Sequence, residues 1–439
     1  MIRFFALLPI IVLLQACSYF GDDEEAAPLP GKRISVIEYQ DDLNAGLFDT
    51  EVDINISLAS PSNSWMQSGR NAQHLIGNIE TADLKSLEQI WSADIGKGEQ
   101  SRLPLVAKPV TANGKIFTLD TKSHIRAFHN QTGKLIWEAN IRPTTEDENV
   151  IAGGLAVDGN VIYVTGGYSE TLAINAETGK VIWRAKMDAG SRAAPTVYNG
   201  RVFVKTLNNN LFALNKADGN LLWKYEGLGE GTGLLGTASP AVDDQIVVAA
   251  FSSGDVVALR VENGAVVWND RLINSLQLNS LSALADIRAL PVIENDIIYA
   301  ISYGGKMVAV DKRTGIRRWA KDISSSETPI IVDDYIFVFT ADNKLIAMDK
   351  SSGNVLWVTK VRKYQDEKKR KDTIFWSGPV MVNGKLILTG TNGVMAVYDA
   401  KTGSLIQQIS TKKNVTLAPI IANGVIYLLS ADGSLLAYR

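Results

Sequence analysis

A chain of 439 residues, 46% apolar and 21% charged, has the composition of a folded globular protein and enough length for a large buried core. Its net charge of −3 argues against nucleic-acid binding, and the basic run 368–371 (KKRK), flanked by Asp366, Glu367 and Asp372, reads as a solvated loop. The one cysteine, Cys17, excludes an intramolecular disulfide, and the scattered His74, His124 and His129 have no zinc-site spacing, so neither a metal nor another cofactor is expected.

The chain opens as a secretory signal. Arg3 precedes an apolar run, 4–14, that is too short for the ~20 residues that span a bilayer. Leu14, Ala16 and Cys17 are similar to the cleavage and lipidation site of bacterial lipoproteins, with Gln15 an unusual middle residue. That resemblance implies a signal peptide over 1–16 and acylation of Cys17, and Ser18 in place of Asp implies sorting to the outer membrane. At about 0.8 kcal/mol per buried CH2, several acyl chains hold a soluble domain on a membrane. Residues 17–60, including the acidic stretch 21–31 (GDDEEAAPLPG), read as the lipidated cysteine and a flexible tether.

From residue 61 to 439 a single unit repeats. In 194–227 (APTVYNGRVFVKTLNNNLFALNKADGNLLWKYEG), one hairpin turns at Asn199-Gly200 and a second closes at Gly219. Four short antiparallel strands in about 40 residues, repeated, are the signature of a β-propeller blade. The first turn recurs at Asn113, Asp158, Asn199, Asp243, Asn295, Asp333, Asn383 and Asn423, each followed by Gly or Asp. The second turn carries a Gly, with Trp137, Trp183, Trp223, Trp268, Trp319 or Trp357 four residues later and a small residue, Ala127 in the first instance, six residues earlier. Gln407 stands where a seventh Trp is due. The Ala and Trp of each repeat read as packing partners, a large ring against a small neighbour.

The last repeat stops at Arg439, one strand short, and the missing strand with its Trp lies at 87–95 (LEQIWSADI), centred on Trp91. The expected fold is therefore all-β: an eight-bladed β-propeller closed by pairing of an N-terminal strand with the C-terminal blade. Closure removes exposed strand edges.

The pattern Ala-x-Asp/Asn-x-x-Thr-Gly-x-x-x-Trp resembles the tryptophan-docking repeat of quinoprotein (pyrroloquinoline quinone, PQQ) dehydrogenases over about residues 60–439, and 65–78 is similar to their approach segment. The likeness speaks for fold, because sites are grafted on folds. The adjacent-cysteine disulfide of those enzymes cannot form here, long insertions are missing and no calcium-ligand cluster is legible. With the lipoprotein signal, the repeats resemble the BamB family, lipoprotein subunits of the outer-membrane β-barrel assembly (BAM) complex. This resemblance implies a non-catalytic scaffold on the periplasmic side of the outer membrane, monomeric outside the complex. It would dock on the POTRA domains of BamA and aid the insertion of unfolded β-barrel proteins. A periplasmic PQQ-dependent dehydrogenase, or a degenerate relative of one, is the alternative from the enzyme class.

Topology selects a binding face. Both hairpin turns of every blade fall on one face, and the second-to-third-strand loops and blade-to-blade connectors fall on the other. Two long connectors, 226–240 and 270–291, leave consecutive blades and are rich in leucine (Leu228, Leu234, Leu235, Leu272, Leu276, Leu278, Leu281, Leu284). By position, Leu234, Leu235, Asp286 and Arg288 match the BamA-contacting region of the family, whose members commonly carry Arg at the place of Leu235 and Asp at that of Arg288. Gly231, Gly233 and Gly236 match a dinucleotide fingerprint, but a Pro-containing strand follows where a helix is required, so nucleotide binding is not expected.

Overall fold

In most blades the first strand is short and buried, the second is a continuous buried run such as Val161–Thr165, and the fourth alternates. Blades stacked face to face produce this gradation, burying inner strands on both sides and the outer strand on one. In a computed structural model, which describes residues 53–228, 237–273 and 286–439, eight antiparallel four-stranded sheets are formed by the described residues. Blades 1 to 7 span 110–140, 154–186, 196–226, 241–271, 292–321, 330–360 and 376–410. Blade 8 takes three strands from 420–438, and its outermost strand is Gln89–Asp94, with Trp91 opposite Ala437. The ring is closed as the repeat count requires. The first turn of blade 1 places Asn113 and Gly114 at φ 52° and 75°, between the paired residues Ala112 and Lys115. This left-handed pair matches the twist of the strands it joins.

The apolar core lies between blades. One buried cluster joins blades 1 and 2 through Phe117, Ile125, Ile162 and Val164, and another joins blades 4 and 5 through Val248, Trp268 and Ile298. The tryptophans do more than pack on their own blade. Ala127 pairs with Trp137 across the sheet, as the sequence implies, but the Trp137 ring also lies on Gly179 of blade 2 and its indole N–H donates to the Ala176 carbonyl (3.0 Å). The same dock is made by Trp183, Trp223, Trp268, Trp319 and Trp357 on the following blade. Gln407, in the seventh place, donates from Nε2 to the Leu84 carbonyl (2.6 Å). At the seam Trp91 lies on Gly133 of blade 1, while the Tyr427 hydroxyl takes the Asn130 carbonyl (3.0 Å).

A segment before the ring closes one of its ends. Ile54 is already buried, seven residues ahead of the boundary expected at 61. From there to residue 82 the chain bonds to the innermost strand, or the turn beside it, of every blade. Trp65 exchanges both backbone hydrogen bonds with Thr111 of blade 1, and the carbonyls of Met66, Ala72, Gln73 and Ser62 accept from Val157, Val242, Ile293 and Asn423. The Gln67 side chain brackets Val197, Ser57 Oγ donates to Asp333, and Ile79 bridges Met381 and Asn383. All these contacts lie at the hairpin-turn end of the ring, where Trp65 is 3% exposed. The opposite end is left to the connectors.

Candidate functional site

The connector face begins where outer strands end. Glu226 closes blade 3, and Leu228 beyond it is 64% exposed. Leu234, Leu235 and the glycine fingerprint at 231–236 lie outside the described residues, as do Leu276, Leu278, Leu281 and Leu284. The chain after the fingerprint is extended and enters the strand Ala241–Val242, not a helix. Leu272, grouped in the sequence with the exposed leucines, is fully buried (0%) between blades 4 and 5, with its carbonyl accepting from Ser302 Oγ (2.9 Å). It is a core residue, because the strand Val266–Arg271 delivers it inward as the chain turns off the blade.

Asp286 and Arg288 fall in different environments. Asp286 is 1% exposed and interacts electrostatically with Lys205, itself 2% exposed at the end of the second strand of blade 3. The Lys205 Nζ donates to the Ala250 carbonyl of blade 4 and sits 5.7 Å from the centre of the Phe251 ring. Burial pushes this amine down to about 8, and the charge of Asp286 opposes the shift. Lys205 and Asp286 thus tie blades 3, 4 and 5 together. Arg288, two residues on, turns to the ring axis.

The axis holds a blind pocket of about 90 Å³. Trp65, Gln67 and Ser68 of the closing segment line it at one end, and the residues that lead into the innermost strands form its wall. Because extended chain alternates its side chains, the wall positions recur one and three residues before a proline: Val106 and Lys108 before Pro109, Arg192 and Ala194 before Pro195, Arg288 and Leu290 before Pro291. Thr237 with Ser239, Ser326 with Thr328, and Thr416 with Ala418 follow the same spacing. Lys108, Arg192, Arg288 and Glu327 are the charged members of the lining. Burial lowers the pKa of Lys108, Glu327 raises it, and Arg288 lowers it again. Glu327 also accepts from the Gly378 N–H (3.0 Å). Behind the pocket His74 is buried, its Nδ1 2.8 Å from the Pro291 carbonyl. Sequence reading found Arg288 and missed Lys108, Arg192, Lys205 and Glu327. The recurring proline was the available signal for the axial residues, whereas nothing local marks Lys205.

The calcium–quinone pair implied by the dehydrogenase resemblance does not fit this lining. Three cationic side chains repel a divalent ion, and Glu327 is the single carboxylate among the described lining residues. No group of three or more His, Cys, Asp or Glu able to hold a metal occurs among the described residues.

Comparison with known proteins gives two family matches. The model described as outer membrane protein assembly factor BamB matches residues 121–359, and that described as the β-propeller domain of glucose/ethanol/alcohol dehydrogenases matches 320–431. Outer membrane protein assembly factor BamB of Yersinia pestis is 26% identical over 80% of this chain and 88% of its own, and that of Shewanella oneidensis is 26% identical over 79% and 88%. Among solved structures, BamB from Moraxella catarrhalis superposes with a TM-score of 0.67 at 20% identity, covering 80% of this chain and 99% of its own. Quinohemoprotein alcohol dehydrogenase from Comamonas testosteroni reaches 0.64 at 14% identity, covering 87% and 81%. Both structural likenesses speak for the propeller fold.

Proposed function

Since the chain belongs to the BamB family of outer membrane protein assembly factors, we propose that it is a non-catalytic scaffold of the BAM complex, anchored through acylated Cys17 to the periplasmic side of the outer membrane. It docks through its connector face on the POTRA domains of BamA and supports the insertion of β-barrel proteins. The observation that carries the reading is the family match across 121–359, from the third strand of blade 1 to the outer strand of blade 6. The architecture is consistent with it. One end of the ring is occupied by residues 53–82, which leaves the connector face, with 226–240 and 270–291 on adjacent blades, for a partner.

Leu234 and Leu235 supply the apolar part of the contact in this reading. Asp286 acts as a positioning residue, buried against Lys205 and holding the return of the second connector. A dehydrogenase reading requires a divalent metal that the axial pocket's cations disfavour.

The test is capture of a periplasmic BamA fragment by the full-length chain. The double substitution Leu234→Asp, Leu235→Asp should abolish capture and leave the thermal melt unchanged. Undiminished capture would move the docking surface elsewhere, and no capture by the unsubstituted chain would reject the docking reading.

A further inference from the structure

We propose that the blind axial pocket is a binding site for a doubly charged oxyanion, of the phosphate or dicarboxylate class. The protein as a whole carries a net charge of −3, so it has no general attraction for anions. Yet the described lining of the pocket holds Lys108, Arg192 and Arg288 against the single carboxylate of Glu327. Arg192 and Arg288 stand at the same step, three residues before their prolines, on blades 3 and 5, and Lys108 stands one step deeper, one residue before Pro109. Two guanidinium groups on one rung with an ammonium below them form a convergent donor set. Each guanidinium offers a planar fork that matches two oxygens of a carboxylate or phosphate.

Among the described residues, none of the three cationic side chains forms a hydrogen bond or an ion pair, although charged side chains of the blades' outer strands do so repeatedly, as Arg184 does with Glu170 (2.8 Å). Glu327 is engaged by the Gly378 N–H and acts on Lys108 electrostatically, which leaves the guanidinium pair to an incoming anion. Hydroxyls of Thr237, Ser326 and Thr416 complete the Arg192–Arg288 rung as neutral donors. A space of about 90 Å³ accommodates on the order of six waters, or one such anion in their place. Three cations held against one carboxylate repel one another and destabilise the fold that holds them, so the excess positive charge is explained by a ligand and not by stability. Arg288 and Thr237 belong to the two connectors, but none of the anion-site residues is a connector leucine, so loss of anion binding and loss of docking are read by different variants.

Titration of the full-length chain in detergent at low ionic strength, with inorganic phosphate or malonate against acetate and chloride, tests the assignment. The expected result is one saturable site for a dianion, with phosphate and malonate competing and the tighter of the two identifying the class. The double substitution Arg192→Gln, Arg288→Gln should weaken binding at least tenfold, and Arg192→Lys, which keeps the charge and loses the fork, should weaken it less than Arg192→Gln. Without anion the double variant should melt at a higher temperature than the parent, because repulsion is relieved. No saturable binding of either dianion, or binding unchanged by the double substitution, overturns the proposal. A lower melting temperature of the anion-free double variant also overturns it, by assigning the arginines to fold support.

Discussion

Gly264 and Gly159 both adopt left-handed backbone, at φ 72° and 59°, but only one is needed for packing. A Cβ on Gly159 meets nothing within 4 Å, whereas a Cβ on Gly264 would stand 2.6 Å from Cε3 of Trp223. Gly159→Ala should therefore cost only the left-handed strain, about 1–2 kcal/mol, and Gly264→Ala about 2–5 kcal/mol, once overpacking against the indole is added. Thermal melts should rank the parent above Gly159→Ala and that above Gly264→Ala, and equal losses would show that the indole contact contributes nothing. His74 supplies a pH signature. Burial holds its imidazole neutral, bringing the pKa from 6.5 down to about 4, with Lys108 adding to the shift and the Pro291 carbonyl opposing it. Between those values the unfolded chain binds a proton that the folded chain refuses, so stability falls as pH drops from about 6.5 through 4. His74→Asn, which tolerates the left-handed φ of 61° and does not titrate, should show a shallower loss of melting temperature across that window. Parallel curves for parent and variant would assign the acid sensitivity to other groups.

At the scale of elements, the outermost strands carry the logic of the ring. Each has a bulge one residue before its Trp or Gln: Ala127 pairs with Trp137 and Phe128 with Leu135, which leaves Ile136 as the extra residue, and Ala173 pairs with Trp183 and Ile174 with Val181, which leaves Ile182. The bulge re-aims the following side chain toward the next blade and blunts the outer edge against further strand pairing. Docking by connectors is therefore favoured over edge addition as the way a partner engages this ring. The closing strand Gln89–Asp94 was legible in the sequence, because the last repeat lacks one strand and Trp91 marks its place. The bulge was not, since an extra residue before Trp is visible only against the paired strand. Nor was the reach of each Trp to the next blade, or that of Gln407 to the Leu84 carbonyl, because in-blade spacing says nothing of a neighbouring blade. Removing residues 1–95 should expose the edge of Ser434–Tyr438 and produce oligomers or aggregates on size exclusion. A monomer with an unchanged melt would contradict the role of that strand.

On the scale of the whole molecule, the ring has two unlike ends. Residues 53–82 bond to all eight blades at the hairpin-turn end, and the connectors frame an axial pocket at the other. The fold and its closure followed from repeat spacing, but the closing segment was visible only as a likeness around Trp65, because its partners are backbone groups hundreds of residues away. The site was legible in part. Arg288 was singled out as a surface contact and faces the axis, and Asp286 is buried against Lys205, since charge in a loop does not reveal which way the loop delivers it. Leu234 and Leu235 remain the residues on which the docking proposal rests. Docking through the connector face is read by hydrogen exchange of the full-length chain with and without a periplasmic BamA fragment. Slowed exchange is expected in 226–240 and 270–291 and none at the hairpin turns around Asn113, Asn199 and Asn383. Slowing confined to the hairpin-turn end, with both connectors unaffected, would contradict it.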